Sequence, residues 1–273
     1  MPEGATPYVQ IENLVARYGE RTILDGVSMS AHRGEITVIL GGSGSGKSTL
    51  LRHIVGLLTP ASGRVLIDGH DIHNASEDEQ EAILRNVGMS FQSGALFSSL
   101  TLEENVAMPI IEHTQADRPT AYMLARMKLA LVGMEEAAHQ LPAALSGGMK
   151  KRAALARALA LDPTLLLFDE PSAGLDPITA RELDELILRL KAQFGMAIIV
   201  VTHELGSIQT IADQAVMLYE GKVLAAGTLE EVQAIDHPQI RAFFTRRPQQ
   251  ATLEHGLLDE LLREGEHHGE SPT

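Results

Sequence analysis

The stretch "ITVILGGSGSGKSTLLRHIVGLL" (36–58) decides the fold of this 273-residue chain. A short, mostly apolar run (36–40) leads into a glycine-rich loop, and a segment with helical spacing begins at Lys47. The loop matches G-x-x-x-x-G-K-[ST], a pattern in which backbone amides and a helix N-terminus surround phosphate groups. Because a strand precedes the loop and a helix follows it, we predict a nucleotide site in an α/β core.

This phosphate cradle, residues 41–49, supplies most of the predicted nucleotide contacts. Lys47 is expected to reach the β- and γ-phosphates, and the Ser48 hydroxyl is expected to bind Mg²⁺. The predicted nucleotide-binding residues in the cradle are Gly41, Gly42, Ser43, Gly44, Ser45, Gly46, Lys47, Ser48 and Thr49.

Two later strands end in residues that can act on a phosphate. The stretch "TLLLFDE" (164–170) places Asp169 to hold Mg²⁺ through water and Glu170 to polarise an attacking water. The stretch "MAIIVVTHE" (196–204) presents His203, which we interpret as a sensor of the γ-phosphate. A parallel core brings these strand ends to one edge of the sheet, where ligands bind.

A second candidate anion site lies in "LSGGMKKRAALARAL" (145–159). Ser146 is a natural N-cap, and Gly147 and Gly148 leave the first amides of a predicted helix unobstructed. Taken alone, the stretch is more typical of a turn that leads into an ordinary helix. One chain with two phosphate sites therefore calls for an explanation.

The order of elements predicts one α/β domain that carries a helical insert. Strand patterns occupy the beginning of the chain and return after residue 161, and the segment between them is mostly helical. We place the domain at 8–240, with the helical subdomain inserted at about 93–161. The remainder, 241–273, is a polar tail in which Leu253, Leu257, Leu258, Leu261 and Leu262 predict a short amphipathic helix, docked either on its own domain or on a partner.

Composition limits the function further. The chain has 22 Lys and Arg against 36 Asp and Glu, a net charge of −14, so no global basic field favours nucleic acid, although "KKR" (150–152) could still bind phosphates. It contains no cysteine, which excludes disulfides and thiolate metal sites. No segment is apolar enough for a membrane helix and the N-terminus is not a signal peptide, so we expect a soluble intracellular chain.

The motifs together resemble the ATPase subunits of ABC transporters over roughly residues 8–235. The cradle, Gln92 after "VGMSF", "LSGGM", "LLLFDE", "SAGLD" (172–176) and His203 follow one another in the order and approximate spacing of that family. The resemblance implies a P-loop NTPase core of the ABC ATPase type with an antiparallel β subdomain, and ATP with Mg²⁺ as cofactors. It also implies that Tyr18 stacks on adenine and that Gln92 binds both nucleotide and metal.

The resemblance also explains the second phosphate site. In this family two ATPase domains pair head-to-tail, and the "LSGG" of one closes over the nucleotide in the other's cradle. Ser146, Gly147 and Gly148 would then contact the partner's ATP, and Asp176 would touch the partner's cradle, so a homodimer is expected. Met149 departs from the more usual glutamine and removes a polar contact there.

The segment "QSGALFSSLTLEENVAMPI" (92–110) narrows the resemblance to the Mla-type ATPases, which work with lipid-carrying MCE proteins. That resemblance implies phospholipid transport in a Gram-negative envelope, driven from the cytoplasmic face of the inner membrane by a peripheral subunit. The implied partners are an integral-membrane permease, an MCE-domain protein and a STAS-domain protein. Two alternatives stay open: an ABC ATPase for another cargo, such as amino acids or a drug, and a non-transport ABC protein.

Overall fold

The computed structural model describes residues 6–245, which fall into two compact units. The first ends at Ile235, and the second begins at Asp236. The described part of the second unit contains one helix, Pro238–Thr245. The predicted tail helix with Leu253 to Leu262 lies outside the described residues.

The elements alternate as an α/β chain with an early run of strands. The strands are β1 (Val9–Tyr18), β2 (Arg21–Ala31), β3 (Ile36–Leu40), β4 (Ser62–Ile67), β5 (His70–Asp71), β6 (Val87–Ser90), β7 (Leu165–Asp169), β8 (Ala197–Val201), β9 (Gln214–Tyr219) and β10 (Lys222–Thr228). The helices are α1 (Lys47–Ile54), α2 (Glu77–Leu84), α3 (Leu102–His113), α4 (Arg118–Leu131), α5 (Gly147–Ala158), α6 (Pro177–Phe194), α7 (Leu205–Ile211), α8 (Leu229–Ala234) and α9 (Pro238–Thr245), with 3-10 turns at Glu135–Ala137 and Pro142–Ala144.

A six-stranded sheet forms the centre of the first unit, in the order β10-β9-β3-β8-β7-β6. All its neighbouring strands are parallel except β10, which returns antiparallel to β9 through a turn at Glu220 and Gly221. Both turn residues have positive φ (48° and 77°), the geometry of a tight hairpin. Because β3, β7 and β8 run in the same direction, their carboxyl ends meet at one edge.

A four-stranded antiparallel sheet, in the order β2-β1-β4-β5, packs against this core. Alternate residues of β1, such as Val9, Ile11 and Leu14, are buried in the cluster that also contains β3 and β8 side chains. The β2 strand reaches the cradle, where Leu24 lies directly against Gly46. This sheet therefore forms one wall of the nucleotide site.

Helices α3, α4 and α5 form the insert between β6 and β7. A capping box of Thr101 and Glu104 starts α3. The buried amide of Asn105 accepts from the Phe97 amide and donates to the carbonyls of Phe97 and Thr101. These bonds order the chain between β6 and α3, which we call the joint (residues 92–97).

The α/β core with an antiparallel sheet and a helical insert confirms the predicted fold class. Within residues 6–245, no helix is both long and apolar enough to cross a membrane.

Candidate active site

The phosphate cradle connects β3, at the centre of the sheet, to α1. All five β3 residues are buried, so the cradle rests on a rigid base. Gly41 has φ 147°, and a Cβ there would lie 2.4 Å from the Leu218 carbonyl oxygen. Gly46, with φ 102°, would place a Cβ 2.5 Å from Leu24. Both positions thus require glycine, and the loop follows a path that leaves α1 amides facing its interior.

Lys47 folds back over the cradle. Its ammonium group donates to the carbonyl oxygens of Gly41 (2.8 Å) and Gly42 (2.9 Å). Burial lowers the pKa of Lys47 from its ordinary value, while the carboxylates of Glu170 and Asp169 oppose that shift. The Lys47 ammonium group is therefore held at the cradle loop, close to the carboxylates of Glu170 and Asp169.

Ser48 and Asp169 provide oxygen atoms suited to a hard cation. The Ser48 hydroxyl donates to Asp169 Oδ1 at 3.2 Å. Burial raises the pKa of Asp169, the Ser48 hydrogen bond lowers it, and the Glu170 charge raises it further. Hydroxyl and carboxylate oxygens fit Mg²⁺, which normally takes only one or two carboxylates and completes its coordination with water and substrate phosphates.

No group of three His, Cys, Asp or Glu side chains that could hold a metal occurs among residues 6–245. A magnesium ion at Ser48 and Asp169 would take its remaining ligands from water and substrate phosphates. The predicted third ligand, Gln92, is exposed in the joint, and its main-chain carbonyl accepts a bond from Lys151. No side-chain hydrogen bond from Gln92 to Ser48 or Asp169 is present in this part of the chain.

Glu170 and His203 form a pair at the ends of β7 and β8. Glu170 Oε1 lies 2.7 Å from His203 Nδ1, a distance at which an ionised carboxylate accepts a hydrogen bond from the ring N–H. The other oxygen, Glu170 Oε2, is buried without a hydrogen-bond partner in the structure. The Glu170 backbone is left-handed, with φ 51°, which directs the side chain away from the strand. An unpartnered carboxylate oxygen beside the cradle is suited to accept a proton.

The "LSGGM" segment starts α5 as predicted. Ser146 caps the helix, its Oγ accepting from the Met149 amide at 3.3 Å, and both Ser146 and Gly147 are exposed. A Cβ on Gly148 would lie 2.5 Å from Thr179 Cγ2 on α6. No hydrogen bond or ion pair described within residues 6–245 joins this segment to the cradle of the same chain.

Asp176 lies beside this segment, at the N-cap of α6. Its Oδ1 accepts from the amides of Ile178 (3.1 Å) and Thr179 (3.0 Å), and its Oδ2 accepts from the Thr179 hydroxyl at 2.6 Å. The bonds from Thr179 hold the pKa of Asp176 below its usual range. Thr179, which sequence reasoning missed, therefore touches both Asp176 and Gly148.

Tyr18 ends β1 and is 49% exposed. It pairs with Arg21 across the β1–β2 hairpin, whose second strand reaches Gly46 through Leu24. The hairpin therefore presents an accessible aromatic ring near the cradle wall.

The structure corrects the expectation that "KKR" on α5 forms a basic patch, and it adds a role for Lys151. The "KKR" run is not a basic surface patch, because Lys151 is buried and Arg152 pairs with Glu182 at 2.7 Å. Lys151 bonds to main-chain carbonyls of the site, a role that sequence reasoning missed. The available signal was its spacing, since it lies on the same helix face as buried Ala154 and Leu155.

Comparison with known proteins agrees with this geometry. The model of the ABC transporter family matches residues 24–173. The intermembrane phospholipid transport system ATP-binding protein MlaF of Escherichia coli K12 is 42% identical over 243 residues, covering 89% of this chain and 90% of that protein. The probable ribonucleotide transport ATP-binding protein mkl of Mycobacterium bovis is 39% identical over 239 residues, covering 88% and 67%.

Solved structures extend the likeness to the three-dimensional fold. The dimeric, post-hydrolysis ATP-binding cassette MJ0796, bound to ADP and phosphate, superposes with a TM-score of 0.74 and 32% identity. The match covers 81% of this chain and 98% of that cassette. The fold and the nucleotide site thus have a counterpart that was captured with hydrolysis products.

Proposed function

The chain belongs to the ABC transporter family as an ATP-hydrolysing subunit, and from this premise we propose that it powers phospholipid transport between two membranes. The observation that carries the cargo is the 42% identity with MlaF over nine-tenths of both chains. The cargo therefore rests on this likeness, because the fold alone does not specify what a transporter moves.

ATP would bind with its phosphates in the cradle. Lys47 would exchange its bonds to Gly41 and Gly42 for the β- and γ-phosphates, and Tyr18 would stack on the base. Ser48, Asp169 through water, and Gln92 would hold magnesium. When bound, magnesium neutralises charge that develops on the phosphate oxygens.

Glu170 would act on the attacking water. Its buried, unpartnered Oε2 is free to accept the water's hydrogen bond, while the bond from His203 fixes Oε1. His203, exposed at the end of β8, would contact the γ-phosphate and link it to Glu170. The pair thus aligns the water and senses the phosphate with two side chains.

The functional unit would be a homodimer with two shared nucleotides. Ser146, Gly147 and Gly148 of one copy would bind the γ-phosphate in the other copy's cradle, and Asp176 would lie against that cradle. Their exposure beside one another at the starts of α5 and α6 supports this arrangement. Because ATP would bind the closed pair better than the open one, it would drive closure, and hydrolysis would allow reopening.

The remaining partners follow from the proposed cargo. We infer an integral-membrane permease, an MCE-domain lipid-binding protein and a STAS-domain protein, with this subunit on the cytoplasmic face of the inner membrane. The 8–240 domain would carry the chemistry, and the tail from 241 would serve docking.

Glu170→Gln tests the hydrolysis step. The variant keeps the size of the side chain but cannot accept a proton, so we expect turnover to fall about 1,000-fold while ATP binding persists and a closed dimer accumulates. Steady-state phosphate release and size-exclusion chromatography with ATP measure both effects. Glu230→Gln, on an exposed acid of α8, is the matched control; normal hydrolysis in Glu170→Gln would remove Glu170 from this role.

The cargo is tested by native purification of the tagged chain from membranes, followed by mass spectrometry of the proteins and lipids that come with it. A permease with an MCE protein and bound phospholipid is the expected result. The name of the mycobacterial relative makes a nucleotide transporter the second candidate, and a different permease without phospholipid would favour it. Ribosomes or DNA in the sample would contradict a transporter altogether.

A further inference from the structure

Lys151 is a buried cation inside the helical insert. It lies on α5, five residues after the N-cap Ser146, and only 8% of its surface is exposed. Its ammonium group donates to the main-chain carbonyl of Gln92 and, at 3.1 Å, to the main-chain carbonyl of Glu170. A buried ammonium normally requires such acceptors, so these bonds account for its burial.

These two carbonyls belong to different parts of the site, and those parts must keep a fixed position relative to each other. Gln92 begins the joint between the core and the insert, whereas Glu170 follows β7 in the core. Lys151 itself belongs to the insert. One ammonium group therefore connects all three parts, and it does so through main-chain atoms.

The hydrogen bond from Lys151 to the Glu170 carbonyl holds a residue whose backbone conformation is uncommon. Glu170 has φ 51°, in the left-handed region that non-glycine residues rarely adopt. Its amide donates to the Val201 carbonyl at 2.8 Å, and its own carbonyl accepts from Lys151. Both sides of the residue are thus held, and this fixes the direction in which the carboxylate leaves the strand towards His203.

The charge of Lys151 also belongs to the electrostatics of the site. Burial lowers its pKa, whereas the carboxylates of Glu170 and Asp169 oppose that shift. Lys47 has the same pair of neighbours. The two carboxylates therefore lie between one lysine of the cradle, Lys47, and one lysine of the insert, Lys151.

A second set of hydrogen bonds, from Arg157, shows that α5 holds the joint mainly through the main-chain carbonyls of the joint. One turn and a half after Lys151, the Arg157 guanidinium donates to the carbonyls of Gly94 (3.0 Å) and Ala95 (2.7 Å). Together the two cations reach three carbonyls of the joint. A displacement of α5 would consequently pull the joint with it, and through Lys151 it would act on Glu170.

We propose that Lys151 is a positioning residue for ATP hydrolysis, which couples the orientation of the helical insert and joint to the catalytic carboxylate Glu170. The inference rests on the proposed role of Glu170. Among the described residues, the hydrogen bonds of the Lys151 ammonium group go to main-chain oxygens, and its effect on hydrolysis runs through the geometry of Glu170.

Lys151→Met tests this with a side chain of similar length and no donor. We expect kcat of the full-length protein to fall about 10- to 100-fold, because misplacing a catalytic group by about 1 Å has that effect. The Kd for a fluorescent ATP analogue should stay within about threefold. Lys151→Gln, which retains N–H donors, should recover part of kcat and keeps the test valid if the methionine variant folds poorly.

Lys222→Met is the matched control, because Lys222 is an exposed lysine on β10 whose ammonium group pairs with Asp25 at 3.1 Å. Its kcat should stay within twofold of wild type. Thermal unfolding of all variants separates loss of fold from loss of positioning.

A double-mutant cycle with Glu170→Gln distinguishes positioning from a merely structural role. If Lys151 acts through Glu170, then Lys151→Met should add less than about twofold to the loss already caused by Glu170→Gln in single-turnover hydrolysis. A full multiplicative loss would overturn the inference, as would a kcat of Lys151→Met within twofold of wild type or a loss that resides in nucleotide Kd. Absence of hydrolysis by the wild-type protein with its membrane partners would overturn the proposed function and this inference together.

Discussion

The phosphate cradle and the "LSGGM" segment share one feature, a glycine-rich helix N-terminus, but the surroundings of that feature differ. Both place glycines at the N-terminus of a helix, where free amides attract anions. In the cradle the glycines are enforced by close neighbours, and Lys47 and the paired Ser48 and Asp169 converge on one point. In the other segment Ser146 and Gly147 are exposed, and the side chains nearest to a Cβ on Gly147 or Gly148 are Leu175 and Thr179, which bind no phosphate.

If two copies share a nucleotide as proposed, this difference separates the half of the site that carries the cation and the metal-binding oxygens from the half that carries mainly amides. The cradle combines a rigid strand, a cation and metal-binding oxygens. The α5 terminus supplies amides and a hydroxyl but no charged side chain in its first turn other than Lys150. A ligand shared between two copies would need both halves, and each half can therefore be disabled separately.

Lys47→Ala should produce the largest effect, because it removes the only cation whose hydrogen bonds lie within the cradle of the described chain. We expect ATP affinity to weaken about 100-fold or more and hydrolysis to disappear, since charge-assisted contacts to phosphate are lost. Titration with a fluorescent ATP analogue and phosphate release measure the two effects. Lys222→Ala, which removes an exposed lysine from β10, is the control; wild-type rates in Lys47→Ala would contradict the assignment of the cradle.

The cradle was predictable from sequence because every part of it is local. Gly41, Gly46 and Lys47 lie within seven residues, and their spacing specifies the loop path. The meeting of β3, β7 and β8 at one sheet edge was also predictable, because a parallel α/β pattern leaves few arrangements. The Glu170–His203 bond confirms the juxtaposition of those strand ends.

Contacts across the insert were not predictable in the same way. The sequence leaves open that the "KKR" run with Lys151 binds phosphates, since a sequence pattern does not show which carbonyls lie opposite a helix face. Thr179 could not be identified from the sequence, because a threonine in the first turn of a helix is common. Its packing on Gly148 becomes visible only in the folded structure. The side chain of Gln92 is exposed in the joint, and no hydrogen bond from it to Ser48 occurs among the described residues.

Ser146→Arg should affect only the incomplete site. The cradle remains intact, so ATP affinity of the isolated chain should change by less than about threefold. Closure of two copies should fail, because a bulky side chain would occupy the surface that contacts the partner, and turnover should fall at least about tenfold. Light scattering of the Ser146→Arg, Glu170→Gln double variant with ATP measures closure.

Thr120→Arg provides a matched control for this variant, since it adds the same charge in the first turn of α4, on an exposed position of the same insert. That variant should still dimerise with ATP. If Ser146→Arg dimerised equally well, the two phosphate sites would not be shared between copies, and the second would be a structural helix start.

The smallest effect is expected at the edge of the cradle, where Tyr18 is half exposed on the β1–β2 hairpin. Stacking on a base depends on the aromatic face, so Tyr18→Ala should weaken ATP binding about fivefold, near the lower end for such contacts, whereas Tyr18→Phe should bind within twofold of wild type. Hydrolysis at saturating ATP should be unchanged, because the ring is remote from Glu170 in the chain and contributes to binding alone. Equal losses in both variants would assign the contribution to the hydroxyl group instead, and a fall in kcat would make the hairpin part of the catalytic geometry rather than a wall of the binding site.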